Sequence, residues 1–145
     1  MRTMVESWLF WALLSAAFAA MTAILAKVGV TAVNPDFATF VRTVVIVVVL
    51  AGIVVATGQW QPPMSVPGRV YGFLVLSGLA TGASWLCYFR ALKLGEASRV
   101  APIDKLSVVL VAVFGAAVLG ERLAAVNWIG VALIAAGAVL VAVKV

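Results

Sequence analysis

Five stretches of this sequence are so apolar for so long that water cannot be their main solvent. The first, from Ser7 through Ala26, carries no ionisable side chain at all. About 20 residues of helix at roughly 1.5 Å each cover the hydrocarbon core of a bilayer. Only helices or closed barrels satisfy the backbone there, and none of the five stretches alternates as a barrel strand does. The sequence therefore predicts an all-α integral membrane protein, with helices at about 7–28, 37–57, 70–91, 102–119 and 125–143. Composition agrees. Hydrophobic residues make up 66% and charged residues 10%, against roughly 25% charge in soluble domains, and the mean hydropathy is +1.22.

The breaks between these stretches are short: "VNPD", "GQWQPPMSVPGR", "KLGEAS" and "GERLAA". Each carries glycine, proline, asparagine or charge where a helix is expected to stop. Connections this short predict antiparallel neighbours in a single membrane domain over 1–145. The basic start and small residues of "MRTMVESWLFWALLSAAFAAM" also suit a signal peptide, but the apolar run continues to Lys27, longer than such a peptide needs.

Several function classes are excluded by what is missing. The chain has no histidine and one cysteine, Cys87, so disulfide frameworks, zinc sites and haem ligation are not expected. No nucleophile–base pair or metal constellation is visible, which argues against an enzyme and against a cofactor. The net charge of +5 comes from basic residues scattered at the ends of apolar runs. That pattern suits membrane flanks and not nucleic acid.

Two of the apolar runs are too short to cross unaided. Thr43–Thr57 and Leu106–Gly120 are each about 15 residues, or roughly 22 Å of helix against a core of about 30 Å. To span, the second helix must draw Arg42 inwards and the fourth must draw in Asp104 and Lys105. In an alternating bundle Lys27, Arg42, Arg90, Lys93, Asp104 and Lys105 lie towards one membrane face. Ionisable groups in the bilayer are costly and usually face one another or a wet cavity. Asp104 is therefore expected to pair with Arg42, Arg90 or Lys105 at the mouth of a polar pocket. Lys27 and Lys93 are expected to snorkel to the headgroups, and Arg90 either snorkels or lines the pocket. Trp85 and Tyr88, close to Arg90, either line it too or pack against small residues. Pro102 is expected in the first turn of its helix, where it is tolerated; a partly unwound entrance is the alternative.

Gly78 and Gly82 form a GxxxG step, and Gly130 and Gly137 lie nearly on one face of the last helix. Such smooth faces are where membrane helices pack, within a bundle or between subunits. Trp8, Trp11, Trp60 and Trp128 sit near helix ends, as interface anchors do. Orientation is ambiguous. Arg2, Arg69 and Arg122 stand against Lys27, Arg42, Arg90, Lys93, Arg99, Lys105 and Lys144. The larger set puts the C-terminus in the cytoplasm. If Arg42, Arg90 and Lys105 line a pocket the bias nearly vanishes, and the chain can insert both ways and pair antiparallel.

The stretch "FRALKLGEASRVAPIDKLSVVLVAVFGAAVLGERLAAVNWIGVALIAAGAVLV" resembles an EamA-type domain of the drug/metabolite transporter superfamily. The resemblance rests on Ala91, Leu92, Gly95, Ala97 and Pro102, then Gly120 and Glu121, then Ile129, Gly130, Ile134 and Gly137. The N-terminal half agrees through "AILAKVGV" and "NPDFATFVR". Most members carry two such domains in inverted orientation. The chain is similar to the short five-span bacterial and archaeal branch, which implies a five-helix bundle that is one half of an inverted-repeat transporter, completed by an antiparallel homodimer in a prokaryotic cytoplasmic membrane. The implied activity is secondary transport of a small metabolite or drug by alternating access. The four-span multidrug members place a glutamate in the middle of their first helix; here Glu6 lies at its edge. Glu121 is expected to be structural, capping or pairing with Arg122 or Arg69. The transport path is expected around Arg42, Trp85, Tyr88, Arg90, Asp104 and Lys105, with Asp104 as the titrating group and an anionic or zwitterionic substrate. Lipid and a small molecule are the other partners. A non-transporting accessory subunit and a lipid-carrier flippase are the alternatives.

Overall fold

A computed structural model describes residues 7–143, and among these every regular element is helical. The helices are α1 (Trp8–Val30), α2 (Pro35–Ala56), α3 (Gly68–Leu94), α4 (Ala97–Asp104), α5 (Ser107–Val118) and α6 (Ala125–Ala142), with a short 3₁₀ turn at Pro63–Ser65. Five segments are long and apolar enough to cross a membrane, α4 and α5 together forming the fourth, Ala97–Val118. The expectations placed on Arg2, Glu6 and Lys144 lie outside the described residues. The chain divides into two compact units, one made of Ala26–Lys93 and the other of Met1–Leu25 with Leu94–Val145.

In the Ala26–Lys93 unit the ends of α2 follow from local chemistry. Asn34 caps it: its Oδ1 accepts from the N–H of Asp36 at 2.8 Å and of Phe37 at 3.4 Å, and Pro35 takes the first helical position, where a missing N–H is no loss. At the other end Gly58, at φ 65, turns the chain. The Gly58 N–H then reaches the Val55 carbonyl at 3.1 Å and the Gln59 N–H reaches Val54 at 3.0 Å. This is the paired bonding of a glycine-terminated helix. The buried side chains of the unit, Ala26, Val30, Thr39, Phe89 and Leu92, all belong to one end of it. Valines 44, 45, 47, 48, 49 and 55 stay exposed along the rest of α2, a surface suited to lipid.

The other unit contains a correction. Pro102 is not in the first turn of its helix. It is the sixth residue of α4, which begins at Ala97 with the N–H groups of Arg99 and Val100 both bonded to the Glu96 carbonyl at 3.0 Å. A proline this far in removes the bond to Ser98 and crowds that carbonyl. The helix breaks three residues later: the Leu106 N–H goes to Ile103, and those of Val108 and Val109 go to Lys105 and Leu106, each three residues back at 3.0 Å. Span four is thus longer than expected and made of two pieces. Helix α6 packs against both of them.

Candidate functional site

At the buried end of the Ala26–Lys93 unit, four cations come from α1, α2 and α3. Lys27 Nζ donates to the Leu92 carbonyl at 2.7 Å. Lys93 Nζ answers from α3, donating to Thr31 at 2.7 Å, Val30 at 2.8 Å and Val33 at 3.3 Å. Each lysine therefore sits on the C-terminal carbonyls of the other's helix, where orphan acceptors and the negative end of the helix dipole favour a cation. The snorkelling expected of these two residues is corrected. Their partners are backbone, because a helix end offers a nearer and better fixed acceptor than a headgroup.

Arg90 lies within the same group. Its Nε and Nη2 donate to the two carboxylate oxygens of Asp36, at 2.9 and 2.8 Å, the bidentate geometry that a guanidinium makes best. Asp36 stands in the first turn of α2, which also suits a negative group. Sequence reasoning looked to Asp104 as a partner for Arg90 and passed over Asp36. The only sign of it was a carboxylate directly after the "NP" helix start.

Arg42 is different. It lies seven residues into α2, about 10 Å along the axis from Pro35. Its guanidinium carbon sits 3.7 Å from the centre of the Trp85 indole and 5.6 Å from that of Phe89. Phe89 is 3% exposed, so the platform under the guanidinium is held by the core. Tyr88, one position before Phe89 on α3, is within electrostatic range of Arg42. The neighbouring hydroxyls are turned away, Thr39 Oγ1 donating to the Pro35 carbonyl at 2.9 Å and Thr43 Oγ1 to that of Thr39 at 2.8 Å. Among the described residues no carboxylate pairs with Arg42.

Asp104 and Lys105 belong to the other unit and stand at the break in span four. Their side chains are 3.4 Å apart, with Asp104 34% and Lys105 57% exposed. Lys105, one of the three partners expected for Asp104, is in contact with it. Nearby, Arg99 pairs with Glu96 at 3.3 Å. At the far end of α5, Gly120 (φ 70) turns the chain so that the Glu121 N–H meets the Gly115 carbonyl at 3.0 Å. The Glu121 side chain folds over Gly115, occupying space that a Cβ there would enter: the carboxylate would be 2.6 Å away. The backbone of Glu121 closes the helix, and among the described residues no ion pair to Arg122 forms. Beside it is a cavity of about 360 Å³ lined by Val111, Phe114, Gly115, Val118, Leu119 and Glu121. A Cβ built on Gly78, Gly82, Gly130 or Gly137 would meet no atom within 4 Å.

The sequence pattern of the EamA-like transporter family matches residues 6–143, almost the whole chain. The chain belongs to this family. A Sinorhizobium sp protein, described as an uncharacterized transporter in the cobO 3′ region, is 69% identical over 140 residues, covering 97% of this chain and 99% of the relative. No solved structure matches. The molecule is a multi-pass membrane transporter by family and by its five spanning segments.

Proposed function

We propose that the protein is a secondary transporter of the prokaryotic cytoplasmic membrane that moves a small metabolite or drug by alternating access, as an antiparallel homodimer of one five-span domain. The observation that carries this reading is Arg42, a cation inside a spanning helix, laid on Trp85 and Phe89 and not bound to a carboxylate among the described residues. At the centre of a spanning helix a charge costs of order 2.5–3.5 kcal/mol on insertion scales, and charges within spans commonly mark substrate or ion pathways. Tyr88 lies beside the path, Arg90 fixes its wall through Asp36, and Asp104 with Lys105 supplies the coupling group at the break in span four.

Two further points support the dimer. The relative matches this five-span unit over 99% of its own length. The glycine faces of α3 and α6 stand open for a second copy. The test is reconstitution into proteoliposomes with flux followed across a pH gradient, together with cysteine crosslinking between copies. Coupled flux that Asp104→Asn uncouples is the expected result. Absence of flux for every anionic and zwitterionic solute tried would favour an accessory subunit, and scrambling of labelled lipid carriers would favour a flippase.

A further inference from the structure

We infer that Arg42 is the anchor for an organic anion, an oxyanion head such as a carboxylate on an apolar body. The inference rests on the transport reading above and names its substrate class. Cation–π contact uses the face of a guanidinium. The in-plane N–H donors, which match an oxyanion two at a time, remain at the edge. Arg42 has its face covered at 3.7 Å by Trp85, and the hydroxyls of Thr39 and Thr43 on its own helix are committed to backbone.

The other cations of this unit's buried end are spent: Lys27 and Lys93 on carbonyls, Arg90 on Asp36. Asp36, the acidic residue of the Ala26–Lys93 unit, is held at both oxygens and is not available to neutralise Arg42. What remains is a permanently charged donor held in orientation by aromatic faces, with Tyr88 beside it. One turn from Trp85 on the same face of α3 is Gly82, where a Cβ would meet nothing within 4 Å. The apolar body of a ligand held by its head at Arg42 has room there.

The test uses the full chain in neutral maltoside micelles, titrated calorimetrically with benzoate and with benzamide, its uncharged isostere. The wild type is expected to bind benzoate and ignore benzamide. Arg42→Lys, which keeps the charge and loses the fork, should bind about tenfold more weakly or worse, and Arg42→Gln should not bind. Helical circular dichroism confirms that both variants fold, and the lysine variant keeps the comparison interpretable if the glutamine variant does not. No benzoate binding by the wild type, equal binding of benzamide, or full binding by Arg42→Gln overturns the inference. Repeating the titration in nanodiscs containing phosphatidylglycerol separates sources: benzoate displaced altogether by the anionic lipid assigns the site to a headgroup and overturns the proposal for a soluble anion. Benzoate bound through Arg42 but never transported in proteoliposomes leaves the anion site standing and removes the transport reading. Benzoate transported equally by Arg42→Gln does the reverse.

Discussion

The two lysines and Arg42 lie within three helices of one unit, yet they solve the problem of a buried-end cation in opposite ways. Lys27 and Lys93 are hydrogen-bonded to helix-terminal carbonyls that every helix must satisfy somehow. Arg42 rests on aromatic faces. A cation whose donors are used up is architecture. A cation laid on aromatic faces with no carboxylate beside it is, in the reading proposed above, positioned for something that is not part of the chain.

That contrast can be broken by substitution. Lys93→Met removes the donor to three carbonyls and should lower stability by about 2 kcal/mol, read as the midpoint of unfolding in mixed micelles, with benzoate binding unchanged. Lys27→Met, which removes the bond to the Leu92 carbonyl, should cost about 1 kcal/mol. A comparable loss of benzoate binding in either variant would mean that clasp and stack are one device. Trp85→Leu removes the platform and should cost roughly 0.5–2 kcal/mol while weakening benzoate binding, the one substitution expected to move both readouts.

Smaller effects sharpen the comparison at helix ends without cations. Gly120→Ala forces a side chain onto a left-handed residue and should cost about 1 kcal/mol. Gly115→Ala gains roughly 1 kcal/mol of helix propensity and needs only the tip of the Glu121 side chain to shift. It should be neutral or slightly stabilising. The Arg90–Asp36 pair is well exposed, at 59% and 49%, so Asp36→Asn should change stability little and by an amount that added salt erases.

The spans were legible because lipid imposes a length and a charge limit that a sequence either meets or does not. The same rule drew Arg42 into α2, since the uncharged run after it is too short, but its stacking on Trp85 could not be read from spacing, because it depends on how α2 and α3 face each other. The start of α4 was hidden because Glu96, Ser98 and Arg99 look like loop; the Glu96–Arg99 pair, one turn apart, lets a polar turn be helical. The lysine partners were invisible for a deeper reason. Backbone carbonyls at a helix end are the same in every sequence, so only the approach of another helix shows which cation will reach them. Asp36 was read as punctuation, 54 positions from the arginine it holds.

The reciprocal attachment of Lys27 and Lys93 has a mechanical corollary. Neither α1 nor α3 can slide along its axis at this end without first rupturing contacts donated by both ammonium groups, so their tips must travel together. Any displacement at this end carries the fastened corner as a block, and the freedom for it has to come from elsewhere in the chain.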